Sequence, residues 1–394
     1  MISLDNKSFC CGCGNCARCC PTKAIKIVPD DAGFLVPTAN LELCVNCGLC
    51  EAKCPVLNHK NEIDIKHTFY AAYANDKKDR LNGSSGGMFG IFAKNIISHG
   101  GVVFGAAFDD NLKLKCTKAT DVEELVPLYK SKYLQSDLGN SFFEIKELLD
   151  AGKQVLFVST PCQVYALKLF LDKEYANLTT IDFVCHGVPS QVLFDKCKKY
   201  TENEENIEMV DYSFRAKKPN GSTPHYYKIK YKKEGKLKEK IVLYTDSYFY
   251  YGFQKYITLR DSCYDCQFSY SNRVSDITIG DFHEIERYVE GINRFDGVSS
   301  VVINTQKGRE LWEESCDRTT FYNLDFQMLL DKKELMCGGT VKPKSREQFV
   351  SDLITLQFDE VIKKYLNGKK EYTKKLYYKM PKILRKIMKK VLIK

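Results

Sequence analysis

No stretch of this 394-residue chain holds the roughly 18 to 20 consecutive apolar residues that crossing a bilayer takes. The opening MISLDNKSF lacks both an apolar core and a small-residue cleavage site, so a cytoplasmic location is expected. The body of the chain also lacks an excess of positive charge. The formal +9 arises in residues 363–394, where thirteen Lys or Arg stand against one acid, while the preceding 362 residues carry 46 basic and 49 acidic side chains. With an acidic body and no nucleotide-binding motif, nucleic acid is excluded as a partner, because affinity for it needs a positive stripe on the folded surface. A disulfide scaffold is excluded as well. Eighteen cysteines are too sparse for one, and ten of them fall before residue 55, which is how ligands cluster and staples do not. Length alone points to two or three domains.

What the chain does have is a ruler of cysteines. CVNCGLCEAKCP (44–55) sets Cys44, Cys47, Cys50 and Cys54-Pro55 at the C-x2-C-x2-C-x3-C-P spacing of bacterial ferredoxins. Laid on CCGCGNCARCCP (10–21), the same ruler selects Cys10, Cys13, Cys16 and Cys20-Pro21 and leaves Cys11 and Cys19 out of register. In such repeats three thiolates wrap one cubane and the fourth, before proline, reaches to the other. One 4Fe-4S centre is therefore assigned to Cys10, Cys13, Cys16 and Cys54, and a second to Cys44, Cys47, Cys50 and Cys20. Zinc is the competing reading of paired cysteines, but zinc motifs lack the third evenly spaced cysteine and the terminal Cys-Pro. Cys11 and Cys19 read as buried or spare thiols. Between the half-motifs, AIKIVPDDAGFLVPTAN reads as two short strands around the turn Asp30–Gly33. Residues 1–60 thus form a two-cluster module that passes single electrons, and the reaction or its docking surface must come from the rest.

In the body, TFYAAYAN reads as a strand and leads into NGSSGGMFGIFAKNIISHGG, with Ser84 or Ser85 as a helix N-cap and Gly86-Gly87 allowing close backbone approach. Such a turn attracts phosphate, although it is often only structural. QVLFVSTPCQVYALKLFL and LTTIDFVCHGVPSQVLFDKCKKY each read strand, loop, helix, the pattern of an α/β domain with ligands at the strand carboxyl ends. Cys162 and Cys185 then occupy equivalent loop positions at or near helix starts, where the dipole favours thiolate. With the C-x2-C pair Cys263 and Cys266 they compose a third candidate 4Fe-4S centre; the alternative for each is a small buried hydrophobe, the reading given to Cys116, Cys197, Cys316 and Cys337. The fold expected is a mixture of α+β and α/β: a ferredoxin-like two-cluster module followed by a mixed α/β domain whose parts span 67–150 and 151–340. A helical basic tail spans 341–394. In it Ile383, Leu384, Ile387, Met388, Val391 and Leu392 build one helical face, with Lys382, Arg385, Lys386, Lys389 and Lys390 opposite. Segment 381–394 is a helix for either the protein's own body or the inner, anionic face of a membrane.

Taken in order, SSGG (84–87), SKYLQS (131–136), STPCQ (159–163), CHGVPS (185–190), the CYDC pair and SDITIGDF (275–282) resemble the coenzyme F(420) hydrogenase/dehydrogenase beta-subunit family from about Phe69 to Asn304. The resemblance implies FAD, the additional 4Fe-4S cluster, and electron transfer between iron-sulfur centres and a small organic hydride acceptor. By it Ser84, Ser85, Gly86, Gly87, Lys132, Tyr133, Gln135 and Ser136 line the flavin site, with Thr160 and Gln163 nearby. His186 and Asp281 are the candidates for proton handling, against a hydrogen-bonded structural role for each. Ser159 and His283-Glu284 stand where many members carry Gly and Trp-Gly, so the identity of the acceptor is not carried over. Clusters move one electron, hydride acceptors take two, and a flavin does either, so a flavin between them makes an electron-splitting junction. Two readings follow: a reductase with a ferredoxin or another redox protein as donor, or an electron-entry subunit of a larger hydrogenase or dehydrogenase complex.

Overall fold

The computed structural model describes residues 9–59, 67–217, 226–283, 285–331, 336 and 338–371. The amphipathic segment 381–394 and Cys337 lie outside them. Among the described residues no helix is long and apolar enough to cross a membrane.

At the front, β1 (Ile25–Pro29) and β2 (Leu35–Ala39) pair antiparallel, Ile25 opposite Ala39 and Pro29 opposite Leu35. The turn between them forms because the Asp30 carboxylate accepts from the backbone N–H of Ala32 and Phe34, at 3.0 and 2.8 Å, and Gly33 takes a φ of 83°. One-turn helices Asn15–Arg18 and Leu49–Ala52 sit in the two cysteine runs, each preceded by a left-handed glycine, Gly14 and Gly48. This is the two-fold repeat of a ferredoxin-like module.

Eight strands form the main sheet. They are β3 (Thr68–Ala74), β4 (Val102–Phe108), β5 (Leu114–Ala119), β6 (Val155–Val158), β7 (Leu178–Phe183), β11 (Ile277–Asp281), β12 (Ser299–Ile303) and β13 (Thr319–Leu324), in the order β13-β3-β12-β11-β7-β6-β4-β5. Strands β4, β6, β7 and β11 run parallel, while β5, β12 and β13 run against their neighbours, which leaves β3 pointing the same way as β11. Strand β6, VLFV, is a continuous apolar run because both faces of the sheet are covered there. On one face Met88, Ile91, Phe92 and Ile96 of helix Met88–Ser98 pack with Leu311 and Trp312 over Val103, Leu156, Ile181 and Val301. On the other, Phe142, Ile145 and Leu149 join Val164, Leu167 and Leu171 over Val102, Phe104, Val155 and Phe157. Segments from both 67–150 and 151–340 are interleaved in this sheet.

A second sheet, β8 (Glu208–Ser213), β9 (Tyr226–Lys233) and β10 (Lys236–Leu243), has the order β10-β9-β8. Its hairpin turns at Glu234-Gly235, both left-handed, the geometry that matches strand twist. The aromatic helix Tyr248–Gln254 packs on it. So do Phe349, Leu353, Val361, Ile362 and Leu366, so residues 346–366, grouped with the tail on sequence grounds, are part of the largest core.

The carboxyl ends of β3, β6, β7 and β11 open on one edge of the main sheet, and the loops that follow β6 and β7 there carry Cys162 and Cys185.

Candidate metal centres and cofactor site

Two cavities lie in the module. Cys10, Cys13, Cys16 and Cys54 line the first, together with Cys11; Cys20, Cys44, Cys47 and Cys50 line the second. The groups are those the spacing ruler assigns, with each cysteine before proline crossing to the other half. Among the described residues no three ligating side chains close to the spacing of a single ion; the thiols stand around hollows instead. Their donor set fits a cluster. Backbone N–H groups point at the sulfurs, Gly12 to Cys10 at 3.3 Å, Asn15 to Cys13 and Leu57 to Cys54, the hydrogen bonding that tunes iron-sulfur sites. Burial and the neighbouring thiols push Cys16 far up, so these sulfurs cannot stay together as thiolates without positive charge among them.

The cavities differ in depth. Cys13, Cys16 and Cys54 are buried, whereas Cys47 is exposed, and the segment around it leaves Leu41 67% and Val45 63% exposed. The first cavity faces the body. Asn15, fully buried, donates to the carbonyls of Lys53 and Ala166 at 3.0 and 2.9 Å. Arg260 donates to the carbonyls of Cys10 and Leu35 at 2.9 and 2.7 Å, Ser262 to Cys10 at 3.1 Å, and Ser190 to Ala32 at 2.9 Å.

The body meets it with the other four cysteines. Cys162 is the second residue of helix Pro161–Leu171, whose N-cap is Thr160. Cys185 follows β7, but the next helix, Gln191–Glu205, begins beyond Ser190, so Cys185 sits in a loop and gains nothing from a helix dipole. The chain needs those residues to turn away from the sheet edge, and Gly187, at a φ of 105°, lets it pass against Cys263. Cys162, Cys185, Cys263 and Cys266 are mutual electrostatic neighbours: burial first, then repulsion within the group, pushes Cys185 up and brings Cys263 to about 12. Cys162 moves the other way, to about 7, chiefly through its hydrogen bond with Cys11, which outweighs burial. Cys11 also bonds to Cys13, so this thiol, set aside as spare by the spacing, touches one cysteine of each group.

Beyond the quartet, at the ends of β3 and β11, lies a polar and cationic region. The loop Ser84–Gly87 lies across β3 and β12: Gly86 donates to the Ser299 hydroxyl at 2.9 Å, and a Cβ on Gly86 would stand 2.4 Å from the Ala72 carbonyl. The N-cap of helix Met88–Ser98 is therefore Gly87, not Ser84 or Ser85. Ser84 instead accepts from the Ser131 backbone at 2.7 Å, and Ser85 donates to the Val298 carbonyl at 2.6 Å. Arg215 forks onto Asp281 at 2.5 and 3.0 Å and donates to the Tyr133 hydroxyl at 3.1 Å. Burial would raise the Asp281 carboxyl, but the Arg215 charge and hydrogen bonds bring it to about 2, which makes it a fixed anion and not a proton donor near neutrality. His186 lies at the exposed rim with Asp281 and His283 as charged neighbours, and His283 Nε2 is 3.8 Å from Asp281.

Lys217 reaches the carbonyls of Arg80 and Ser85; burial, then repulsion by Arg215 and Arg80, lowers its ammonium to about 7. Lys132, holding the carbonyls of Pro127 and Tyr129 at 2.7 Å, is brought to about 7 by burial and then by Lys130. These partly discharged cations, and the buried Arg215 Nε with no protein partner, fit a polyanion such as a pyrophosphate.

Of the residues expected near a flavin, Ser84, Ser85, Gly86, Gly87, Lys132 and Tyr133 gather here. Gln135, Ser136, Thr160 and Gln163 do not. Gln135 donates to the Gly12 carbonyl at 3.1 Å and accepts from Arg260 at 2.8 Å; Gln163 bonds to Ser136 and Ser159; Thr160 contacts the Cys162 sulfur at 3.3 Å. They lie between the module and the third quartet. Arg80, Arg215, Lys217 and Arg260 were missed by sequence reasoning, since none belongs to a motif and their only signal is where the fold takes them.

Residues 152–325 match the family model for the C-terminal part of the beta subunit of coenzyme F(420) hydrogenase/dehydrogenase, and residues 9–58 match the 4Fe-4S dicluster domain. Among solved structures, a chain in the xenon-derivatised F(420)-reducing NiFe hydrogenase complex from Methanosarcina barkeri is 18% identical, with 77% of this chain and 90% of that chain covered and a TM-score of 0.44. No curated protein matches.

Proposed function

The chain belongs to the coenzyme F(420) hydrogenase/dehydrogenase beta-subunit family and carries a 4Fe-4S dicluster domain at its front, and on that premise we propose that it is an iron-sulfur flavoprotein oxidoreductase. In this reading it passes electrons from a ferredoxin-type donor, through its clusters and FAD, to an organic two-electron acceptor. The observation that carries the reading is the serial arrangement of three cysteine groups, from a solvent-reaching cavity to a buried one to a quartet in the body, ending beside a cationic loop region.

Each part has its task. Cys20, Cys44, Cys47 and Cys50 would hold the outer cluster where a donor protein can approach, and the exposed Leu41, Leu43 and Val45 offer it an apolar rim. Cys10, Cys13, Cys16 and Cys54 would hold the inner one, and Cys162, Cys185, Cys263 and Cys266 the third. Lys217, Lys132 and Arg215 would take the pyrophosphate of FAD, with Gly86 letting the backbone of the loop lie flat. Clusters supply single electrons and the flavin, when bound, converts them to pairs. Asp281 orients Arg215, and His186, at the rim, is the group able to exchange a proton with solvent.

Purified full-length protein should contain about twelve irons per chain and one flavin. Dithionite-reduced ferredoxin should reduce it, and a panel of deazaflavin, flavin and quinone acceptors should identify the oxidant. Acceptor reduction by a preparation stripped of flavin but full of iron would sink the flavin step; iron content near eight would remove the third centre.

A further inference from the structure

Among the described residues four arginines are buried: Arg215, Arg260, Arg273 and Arg346. Three of them have a carboxylate. Arg215 is paired with Asp281, Arg273 lies 3.4 Å from Asp182, and Arg346 lies 3.5 Å from Asp261. Arg260, only 3% exposed, has none among the described residues. Its partners among the described residues are the carbonyls of Cys10 and Leu35, the Gln135 amide oxygen and the face of Phe34 at 5.0 Å, and its Nε has none among them. A guanidinium is a permanent cation, and burying one against neutral dipoles alone is strongly unfavourable. A fold that keeps one there has an anion beside it in the assembled protein.

The location says which anion. Arg260 is hydrogen-bonded to Cys10, a ligand position of the inner cavity, and is three residues before Cys263; its own carbonyl accepts from the Cys263 N–H at 3.0 Å. Ser262, between them, donates to the same Cys10 carbonyl at 3.1 Å. The guanidinium also acts electrostatically on Cys10, Cys162 and Cys263. It therefore stands between the inner cysteine group and the body quartet, where two thiolate-ligated clusters would place net negative charge on both sides.

We propose that Arg260 is a positioning residue for electron transfer: it holds the inner cluster against the third centre and, as the buried cation between them, makes both easier to reduce. Each reduction adds one electron and one negative charge beside a fixed positive one, so removal of that charge lowers both potentials and leaves the distant outer cluster alone. The proposal rests on the iron-sulfur reading above.

The test is an EPR-monitored redox titration with dithionite on full-length wild type, Arg260→Gln and Arg260→Lys. Arg260→Gln should make the inner and third centres at least tenfold harder to reduce, about 59 mV for one electron, with the outer cluster unmoved. Arg260→Lys, which keeps the charge, should stay within about twofold of wild type. Unchanged potentials in Arg260→Gln at full iron content would overturn the proposal. So would Arg260→Lys shifting like the neutral variant. If the glutamine variant loses iron, the lysine variant still decides, since it must retain both iron and potential. A wild-type chain without the inner or third signal would instead refute the iron-sulfur reading, an outcome distinct from these.

Discussion

Gly12 and Asn46 occupy the same place in the two half-motifs, one residue before the second cysteine, and both are left-handed, at φ 68° and 51°. Asparagine tolerates that conformation and serves in the half that faces solvent. The first half faces the body, where a Cβ on Gly12 would meet Gln135 at 2.3 Å and Arg260 at 2.6 Å, so a side chain there would displace both from the Cys10–Gly12 loop. The same burial distinguishes Cys11 from its neighbours. Its thiol bonds to Cys13 and Cys162 but belongs to neither four-membered group, so Cys11→Ser should keep full iron while Cys13→Ser loses the inner cluster; equal iron loss in the two would break the register. A second residue-scale prediction concerns pH. Lys217 is held near 7, and a bound pyrophosphate would raise it. A group whose pKa rises on binding contributes affinity that is complete below its unbound value and is lost as pH climbs through the bound one. The dissociation constant of flavin, followed by fluorescence, should therefore rise with pH above about 7, by up to about tenfold per unit, and Lys217→Gln should bind more weakly at pH 6 with a flatter profile.

At the scale of elements, the sheet edge decides what its loops can do. Strands β3 and β11 point the same way, and β12 runs between them, so Ala72, Ser299 and Asp281 are aligned across three strands. The Ser84–Gly87 loop lies on that row, and its flatness depends on Gly86. Gly86→Ala forces the loop off β3 and β12, at a cost of about 1 to 3 kcal/mol for an overpacked site. Flavin per chain should fall severalfold while the outer-cluster EPR signal is retained; full flavin content would show that the loop does not carry it. The β9–β10 hairpin was not read from the sequence, although YYKIKYKK and KLKEKIVL flank Glu234-Gly235 with strand-like alternation. The run of lysines on its outer side hid the buried row of Tyr227 and Ile229.

For the whole molecule, the module is built into the body and is not a bead on a linker. Fully buried Asn15 ties Lys53 of one half-motif to Ala166 of the body helix, and Arg260, Ser262, Ser190 and Gln267 reach into the module from the other side. Loss of the Asn15 amide removes two hydrogen bonds that join the module to itself and to the body, about 0.5 to 1.5 kcal/mol each. Wild type should melt as one cooperative unit by calorimetry, and Asn15→Ala should lower the melting temperature or split off the module; an unchanged single transition would mean the contacts contribute little. Docking of this kind also orders the centres, because the cavity pressed on the body is the deep one and the cavity left outside has Cys47 at the surface.

The grouping of the eight module cysteines was determined by the sequence alone, because a cluster's ligands are set by spacings of two and three residues that short loops reproduce locally. Strand β3, the Asp30–Gly33 turn and the two strand-loop-helix units were legible for the same reason, since period and turn chemistry are local. Tertiary structure decided the rest. The path of the chain after β7 left Cys185 without a helix start, and the approach of the module drew Gln135 away from the cationic region. Arg80, Arg215 and Lys217 meet there, and Arg260 lies between the cysteine groups, only because strands and loops distant in sequence end on one edge. Charges meeting through space leave no pattern along the chain, and the depth of a cavity depends on what is packed against it.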